Sequence, residues 1–494
     1  MKKTIAMLLA LLTLIALLAA CVDTPNEQDG ETSAGEETTE QDARLDAIPE
    51  ELKFNGEDIV ILSRGVQKYT VDEIAVPELT SDPVNDAVFN RNIVVGDRLN
   101  VKIVSQPLED SDPFKTVAEI ERVVKAGSDD YDLFAGACYA TLPAALGGTF
   151  YNLRDLEYLD LSQSYWMQDY NDTISYGDSQ YTATGMIALS TYRLAIVTLF
   201  NKKLFDDKSL PYLYEAVENN EWTLDYHASL VEDFYQDLNG DGKHDEDDLF
   251  GLVTSAVINV DAYWSACDIA LVDKDADGAY TWALDTEKLS NAVDKLLLLI
   301  HESGGTYLCK ETAGSSAQPA IREMFAEGRA ATSTLRLLAV ELDEIRNMQE
   351  EYGIVPMPKY DELQKNYQTQ MHDQFTVFAI PSSAAQSKIE MIGAVMEVMA
   401  SENLRMVKPA YYEIALKRKY MSDPIAWDML DMAFEHVIVD AGVIYADSLE
   451  YPHHHLRTMI DNKSNSVAST FGMSKNKMNK QLAKIVNKME DLEG

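Results

Sequence analysis

Short apolar segments alternate with longer helical patterns along the chain, and this alternation restricts the fold more than any other feature. The segments typical of strands are Ile59–Leu62, Val101–Val104, Tyr131–Ala135, Leu194–Phe200 and Phe375–Ile380. Between the second and third of these, apolar residues share one helix face before a glycine stop, namely Val117, Ile120, Val123, Val124 and then Gly127. From Pro409 onward the pattern is mainly helical. This order predicts mixed or parallel sheets flanked by helices, the α/β class.

The first 21 residues carry the pattern of an export signal. Lys2 and Lys3 precede an apolar run from Ile5 to Ala20, and 16 residues is short for a membrane-spanning helix. The small residues before Cys21 resemble the lipobox of bacterial lipoproteins, in which the cysteine is lipidated and becomes the new N-terminus. We predict a signal peptide over 1–20 and a lipid anchor at Cys21. The alternative is an ordinary cleaved signal that contains a cysteine.

Residues 21–51 are predicted to form a tether. The segment is rich in Asp, Glu, Thr and Gly and has hardly any large apolar side chain. Because it cannot bury enough apolar surface to offset its ordering entropy, we expect it to be disordered. The tether therefore sets the reach of a folded part and carries no chemistry of its own.

Composition limits what the folded part does. About 440 residues follow the tether, enough for two domains or one large bilobal unit. A net charge of −41 argues against binding to nucleic acid or anionic membranes, because both need a basic surface. Cys138, Cys267 and Cys309 have neither disulfide nor zinc spacing. We expect buried thiols there, with one disulfide as the alternative.

Five short segments occur in a characteristic order within residues 55–480. They are Ala126–Leu133 (AGSDDYDL), Leu199–Phe205 (LFNKKLF), Glu221–Asp225 (EWTLD), Met324–Ala331 (MFAEGRAA) and Tyr352–Pro358 (YGIVPMP). In order, they resemble a helix-to-strand turn, a strand end, a helix opening, a helix that feeds a strand and a return between lobes. All five are similar to motifs of the extracellular solute-binding proteins of ABC importers, in the maltose-binding-protein-like group.

This resemblance implies two α/β lobes with a ligand cleft between them. The first lobe would comprise 52–180 and 370–402, and the second 181–369 and 403–494, with crossovers near Tyr176–Gly185 and Tyr367–Gln374. It also implies a monomeric receptor at the outer face of the cytoplasmic membrane, which passes a solute, expected to be a carbohydrate, to ABC permease subunits. Closure about the hinge would give the transporter a liganded shape to recognise.

Ligand-binding residues are expected in loops at strand ends that face the cleft, the general rule for open α/β sheets. The candidates on that basis are Arg64, Tyr139, Thr141, Thr191, Tyr192, Arg193, Trp264, Asp268 and Arg336. Aromatic faces with a few charged hydrogen-bonding groups suit a sugar. The competing interpretation is that an aromatic residue in a strand-end loop packs the lobe.

The segment from Asp237 to Asp248 has the spacing of a calcium-binding loop. The predicted ligands are Asp237, Asn239, Asp241, the Lys243 carbonyl, Asp245 and Asp248, with Gly242 at the tight-turn position. Asp248 stands where Glu is usual, as in dockerin-type loops. We predict a structural Ca²⁺, which millimolar extracellular calcium would supply even to a weak site. The alternative is a solvated acidic turn.

Two other motifs are weaker. Asp273–Gly278 begins like a calcium loop, but Thr281 and Leu284 occupy later ligand positions, so a hairpin turn at Asp277-Gly278 is predicted. His453-His454-His455 could suggest a transition metal. Adjacent side chains point in different directions, so a polar loop is expected there instead.

A lipid-anchored glycosidase is the rival class, because two carboxylates are all that its mechanism needs. Abundance of acidic residues is no argument for it, since any pair among 82 could be chosen. The sequence has no Walker loop, H-E-x-x-H or G-x-S-x-G motif. A ligand sensor without transport is the third possibility, and the sequence does not separate it from an importer receptor.

Overall fold

The computed structural model describes residues 44–311, 316–417 and 424–493. Its strands, in chain order, are β1 Glu57–Ser63, β2 Val101–Pro107, β3 Leu133–Ala137, β4 Ile196–Asn201, β5 Phe250–Ser255, β6 Val272–Lys274, β7 Tyr280–Trp282, β8 Thr306–Cys309, β9 Ala330–Arg336, β10 Tyr352–Val355, β11 Thr369–Gln370, β12 Thr376–Ala379 and β13 Val437–Ile438.

Helices separate most of these strands. They span Pro83–Leu99, Pro113–Ala126, Cys138–Ala145, Gln168–Ile174, Leu189–Arg193, Lys202–Asp207, Leu213–Glu218, Leu224–Glu232, Ile258–Ala266, Thr286–Leu297, Gln318–Ala326, Asp343–Arg346, Ile389–Glu402, Lys408–Lys417, Pro424–Glu435, Ala441–Ile444, His454–Asp461, Val467–Phe471 and Lys475–Glu493. Short 3₁₀ turns lie at Leu153–Asp155, Leu337–Glu341 and Gln386–Lys388, and π turns at Leu298–Glu302 and Asn403–Val407.

The first sheet has four strands in the order β12-β3-β1-β2. β1 is parallel to β2 and β3, whereas β12 is antiparallel to β3. The helix Pro113–Ala126 covers this sheet and follows the sequence prediction closely. Its N-cap Asp112 accepts a hydrogen bond from the Phe114 amide, and Gly127 ends it with a left-handed φ of 64°.

The second sheet has five strands in the order β10-β4-β9-β5-β8. β5 runs parallel to β8 and β9, and β4 runs antiparallel to β9 and β10. Every residue of β4 and β5 is buried, which explains why both strands are nearly continuous apolar runs. The two sheets flanked by helices confirm the predicted α/β class.

The chain passes between the sheets through two paired segments. Ala195 forms an antiparallel bridge with Met371, and the His372 amide donates to the Leu194 carbonyl at 3.0 Å. Upstream of this pair, Ala183 still bridges Phe378 of β12. The lobe limits 52–180 with 370–402 and 181–369 with 403–494 stay a prediction.

The N-terminal end of the described structure corrects the predicted extent of the tether. Asp46 accepts hydrogen bonds from Arg98 at 2.9 and 2.6 Å, and the Ile48 side chain is buried. Asp46 and Ile48 therefore pack against the part of the molecule that contains the first sheet, whereas the sequence predicted disorder throughout 21–51. The signal peptide, Cys21 and the remainder of the tether lie outside the described residues.

Several local predictions are confirmed. β6 and β7 form an antiparallel hairpin whose turn contains Gly278, at a φ of 83°. Cys138, Cys267 and Cys309 are buried free thiols. Within the described ranges, no helix combines the length and apolar character that crossing a membrane requires.

Candidate ligand-binding cleft

Strand direction brings the edges formed by the carboxyl ends of the strands in the two sheets to the same connecting segment, residues 371–375. The carboxyl ends of β1 and β3 lie beside the start of β12, since β12 is antiparallel to β3. In the second sheet, the carboxyl ends of β5, β8 and β9 share one edge, and Arg336 there pairs with Ile196 just after the crossing. Side chains at both edges therefore converge on residues 371–375.

Arg64 follows β1 directly and is only 2% exposed. Its Nη2 donates to the Gln374 carbonyl and, at 3.3 Å, to the Thr376 hydroxyl. Its guanidinium carbon lies 5.1 Å from the centre of the Tyr69 ring, a cation–π contact. Nε and Nη1 have no hydrogen-bond partner in the described part of the chain. Burial lowers the pKa of Arg64, but the group stays a cation.

Arg336 ends β9 on the opposite side of the crossing and is half-buried. Burial lowers its pKa, and the nearby charged or polar groups are Tyr69, Arg322 and Glu311. Burial raises the pKa of Tyr69, and the charges of Arg64 and then Arg336 oppose that rise, so both arginines lie within electrostatic range of the same phenol. Tyr139 adds an aromatic ring that packs edge-on against Phe114 at 5.4 Å.

Acidic groups complete this region. Arg457, from the helix His454–Asp461, donates through Nε to Asp261 Oδ1 at 2.7 Å and contacts Oδ2 through Nη2. Asp373 lies in the crossing segment, where burial and then the charge of Asp261 raise its pKa to about 7, against the opposing effect of Arg457 and Arg64.

A small cavity of about 20 Å³ lies among these groups, lined by Asp261, Trp264, His372, Asp373, His453 and Arg457. The Trp264 indole donates to the His453 carbonyl at 3.2 Å. The Nδ1 atoms of His372 and His453 have no hydrogen-bond partner among the described residues. Burial, followed by Arg336, Arg457 and Arg64, lowers the pKa of His372 well below its usual value, so this imidazole is neutral.

We call this group the intersheet cluster; its members are Arg64, Tyr69, Tyr139, Asp261, Trp264, Arg336, His372, Asp373, His453 and Arg457. It offers charged donors, carboxylate acceptors and aromatic faces from both sheets and from the C-terminal helices. Such a combination suits a polar ligand with several hydroxyl or charged groups.

The structure brings four of the predicted site residues together, namely Arg64, Tyr139, Trp264 and Arg336. Three other predicted residues form hydrogen bonds or an ion pair outside this cluster. Thr141 donates to the Ala137 carbonyl at 2.8 Å, Thr191 donates to the Ala188 carbonyl at 2.6 Å, and Arg193 pairs with Glu341 at 2.9 Å. The side-chain donors of Thr141, Thr191 and Arg193 are therefore already used in contacts that stabilise the fold.

Two further predicted residues also lie away from the cluster. The Tyr192 ring is buried against Tyr411 and Phe434, in a different part of the core. Asp268 is exposed and accepts hydrogen bonds from Lys288 and Gln368 at the outer surface. The strand-end rule indicates where a loop lies but not where its side chains point, which explains these corrections.

Sequence reasoning missed Tyr69, Asp261, His372, Asp373 and Arg457 and did not treat His453 as a ligand residue. A signal for Asp261 existed, because it lies three residues before Trp264 on one helix, and such positions are neighbours on a helix surface. Asp373 lies within the predicted second crossover, Tyr367–Gln374. Arg457 has no local signal, because only tertiary packing brings its helix to the cluster.

The loop Asp237–Asp248 is held by its own hydrogen bonds. Asp237 accepts from the amides of Gly240 at 2.6 Å and Gly242 at 3.0 Å, both glycines having left-handed φ values. The Tyr235 hydroxyl donates at 3.3 Å to the Lys243 carbonyl and to the buried Asp248.

No cluster of three or more His, Cys, Asp or Glu side chains suited to a metal ion occurs in the described part of the chain. The calcium ligands predicted from sequence, Asp237, Asn239, Asp241, Lys243, Asp245 and Asp248, stay a prediction.

The solved structures similar to this chain share its architecture. No family model matches the chain, and no curated protein matches it either. An ABC substrate-binding protein of Listeria monocytogenes in complex with cycloalternan is 13% identical, with a TM-score of 0.54, over 87% of this chain and 99% of the other. A sugar transporter of Rhizobium etli in an open conformation is 14% identical, with a TM-score of 0.54, over 87% and 99%.

A third similar structure is an ABC transporter solute-binding protein of Thermotoga lettingae bound with α-D-tagatose. It is 13% identical, with a TM-score of 0.53, over 86% of this chain and 100% of the other. At this identity the likeness establishes the fold. The chain has the two-lobe fold of maltose-binding-protein-like solute-binding proteins, as the sequence motifs predicted.

Proposed function

We propose that this protein is a receptor that binds a carbohydrate at the intersheet cluster and delivers it to an ABC transporter. The observation that carries the proposal is the convergence of Arg64 and Arg336 from two sheets on the crossing that joins them. Tyr69 and Tyr139 supply rings near Arg64. Trp264 lines the small cavity with Arg457, and Asp261 and Asp373 supply acceptors there. Proteins of this fold from Listeria monocytogenes and Thermotoga lettingae bind cycloalternan and tagatose, which favours a sugar.

The mode of attachment follows from the N-terminal sequence. We infer a signal peptide over 1–20, lipidation at Cys21 and a location at the outer face of the cytoplasmic membrane. The partners would be ABC permease subunits, and the receptor would act as a monomer. A hydrophobic signal ending in small residues before a cysteine supports the anchor.

We also propose a structural Ca²⁺ in the loop Asp237–Asp248. The ligand spacing in the sequence supports it, as do the two glycines with positive φ that wrap the loop around Asp237. The ion would neutralise part of a strongly acidic surface segment. No catalytic step is assigned to it.

The test of the receptor proposal is calorimetric titration of the chain lacking residues 1–21 with a panel of neutral and charged mono- and oligosaccharides. One sugar class should bind, and mass spectrometry should find no cleaved product. Tyr139→Leu should weaken that binding about tenfold, or roughly 1.4 kcal/mol. Tyr158→Leu is the matched control, since Tyr158 is a half-buried tyrosine that packs in the core cluster of the first sheet rather than at the crossing.

Three outcomes would change the assignment. Accumulation of product would establish a glycosidase instead of a receptor. Equal binding by both tyrosine variants would move the site away from the intersheet cluster. Binding without any loss of sugar uptake in cells that lack the protein would favour the sensor over the importer receptor.

A further inference from the structure

Two arginines of the intersheet cluster lack a carboxylate partner, although the chain contains 82 Asp and Glu against 41 Lys and Arg. Buried Arg91 makes no ion pair but donates to the Asn403 side chain at 2.9 Å and to the Glu73 and Ile74 carbonyls. Three other buried or half-buried arginines are paired with carboxylates. Arg193 binds Glu341, Arg322 binds Glu344 and Arg457 binds Asp261. Arg64 and Arg336 make no ion pair with any described residue. Arg64 and Arg336 are therefore the two arginines of the intersheet cluster that have no carboxylate partner among the described residues.

Arg64 is the more buried of the two. Its Nε and Nη1 are enclosed and have no hydrogen-bond partner in the described structure, whereas Nη2 is committed to Gln374 and Thr376. Arg64 lines a cavity of about 120 Å³, and the other polar residues of its wall are Ser63, Thr70, Asp72, Glu73, Ser105 and Thr376. A buried cation with two unused nitrogens is costly unless a ligand completes it.

Arg336 faces the same region from the second sheet and makes neither an ion pair nor a side-chain hydrogen bond with a described residue. The charges of both arginines oppose the rise that burial causes in the pKa of Tyr69. Burial lowers the pKa of His372, and the charges of Arg336, Arg457 and Arg64 lower it further. Of the acidic groups near Arg64 and Arg336, Glu73 accepts from the Ser190 amide at 3.0 Å and Glu311 accepts from Ser255 at 3.3 Å. Asp373 is buried near Arg64 but makes no ion pair with either arginine in the described structure, and burial raises its pKa to about 7.

We propose that the ligand carries a carboxylate, which Arg64 and Arg336 bind from opposite sheets, and that it is therefore a uronic-acid sugar. This inference rests on the proposed carbohydrate receptor. Neutral hydroxyl groups would satisfy hydrogen bonds but would leave two enclosed cations uncompensated. Guanidinium groups match carboxylates in both geometry and charge.

The overall charge of −41 does not oppose this arrangement at contact range. Exposed charges are screened over about 8 Å at physiological ionic strength, whereas charges in an enclosed site are screened much less. The two arginines therefore dominate the field at the cluster. The surface charge would slow the approach of an acidic sugar but would not remove its binding site.

The experiment titrates the chain lacking residues 1–21 with glucuronate, galacturonate and trigalacturonate, with the methyl esters of these sugars, and with neutral maltotriose. The esters keep the shape of the uronates and remove the charge. A uronate should bind at least a hundredfold more tightly than its ester. Arg336→Gln should weaken uronate binding at least tenfold and weaken ester binding by a much smaller factor. The effects of the substitution and of esterification on affinity should therefore not be additive.

Arg336→Gln should fold normally because Arg336 has no ion pair or side-chain hydrogen bond to lose, and its thermal midpoint checks this. Arg154→Gln, at an exposed arginine, is the matched control and should bind like the wild type. Esters or maltotriose binding as tightly as the uronates would overturn the carboxylate inference and leave the sugar receptor standing. Binding only to a non-sugar carboxylate such as glutamate would retain the role of the arginines and overturn the carbohydrate assignment.

Discussion

Two ion pairs in one short segment offer a direct comparison between buried and exposed charge. Asp46 binds Arg98, and its side chain is 0% exposed. Four residues later, Glu50 binds Arg44 at 2.9 Å with a side chain that is 80% exposed. Asp46→Asn and Glu50→Gln each remove one negative charge and almost no volume. We expect a large loss of stability from the first substitution and almost none from the second.

The size of the Asp46 effect follows from its partners. Asp46 accepts two hydrogen bonds from Arg98 and others from Ser401 and the Ile48 amide. Removing one partner of a fully buried pair costs about 3–5 kcal/mol. Arg98 keeps a second carboxylate, Glu402 at 2.9 Å, so we expect the lower part of that range, about 3 kcal/mol. Glu50→Gln should change the free energy of unfolding by less than about 0.5 kcal/mol.

Urea unfolding at pH 7, followed by circular dichroism, would measure both differences. Burial alone would raise the pKa of Asp46, but hydrogen bonds from Arg98 and Ser401 lower it below 3.8. A lowered folded pKa contributes stability that is present above the unfolded pKa and is lost as pH falls through the folded one. The Asp46→Asn effect should therefore shrink below about pH 4. Equal effects of the two substitutions, or a pH-independent Asp46 effect, would refute this reasoning.

Two further predictions concern charge. Burial raises the pKa of Asp373 from 3.8 to about 7, so its stabilising contribution is full below the unfolded pKa and is lost as pH rises through 7. Asp373→Asn should reduce the fall in the free energy of unfolding between pH 5 and 8 by about 2–3 kcal/mol. An unchanged pH dependence would contradict this. Calcium at 1 mM should stabilise the wild type by about 1.4 kcal/mol if its Kd is about 0.1 mM. Asp241→Ala should abolish that gain, because it removes the side-chain ligand, and Asp275→Ala in the second Asp-rich loop should retain it. Equal gains in both variants would exclude the proposed site.

The strands could be predicted from the sequence because strands that are buried on both faces are apolar along most of their length. Ile59–Leu62 lies inside β1, and Leu194–Phe200 overlaps β4. The start of β3 differs from the prediction, at Leu133 instead of Tyr131. Asp132 lies at this difference: its amide donates to the Val60 carbonyl at 2.9 Å, but its side chain, in place of a backbone carbonyl, accepts from the Val60 amide at 2.8 Å. A polar residue that joins the sheet edge through its side chain has no signature in apolar periodicity.

The site was predictable only where it coincides with a strand end. Arg64 and Arg336 were predicted because each lies at the carboxyl end of a strand, which is the position that the rule for α/β sheets selects, and their role in binding stays a prediction. Tyr69 lies in a loop, and Arg457 lies on a helix near the C-terminus, so neither follows from that rule. Thr191 and Arg193 lie outside the intersheet cluster for a different reason: they belong to a short helix, in which Thr191 donates to the Ala188 carbonyl and Arg193 pairs with Glu341.

The contacts of Arg64 connect ligand binding to the hinge. Its Nη2 binds the Gln374 carbonyl, and the Tyr69 beneath its guanidinium donates to the Gln374 side chain. Gln374 lies three residues beyond Met371, whose pairing with Ala195 joins the sheets. A carboxylate bound by Arg64 would therefore act on a group already bonded to the crossing. Arg336 would bind the same carboxylate from the other sheet, so the charge of the ligand would itself favour closure of the cleft.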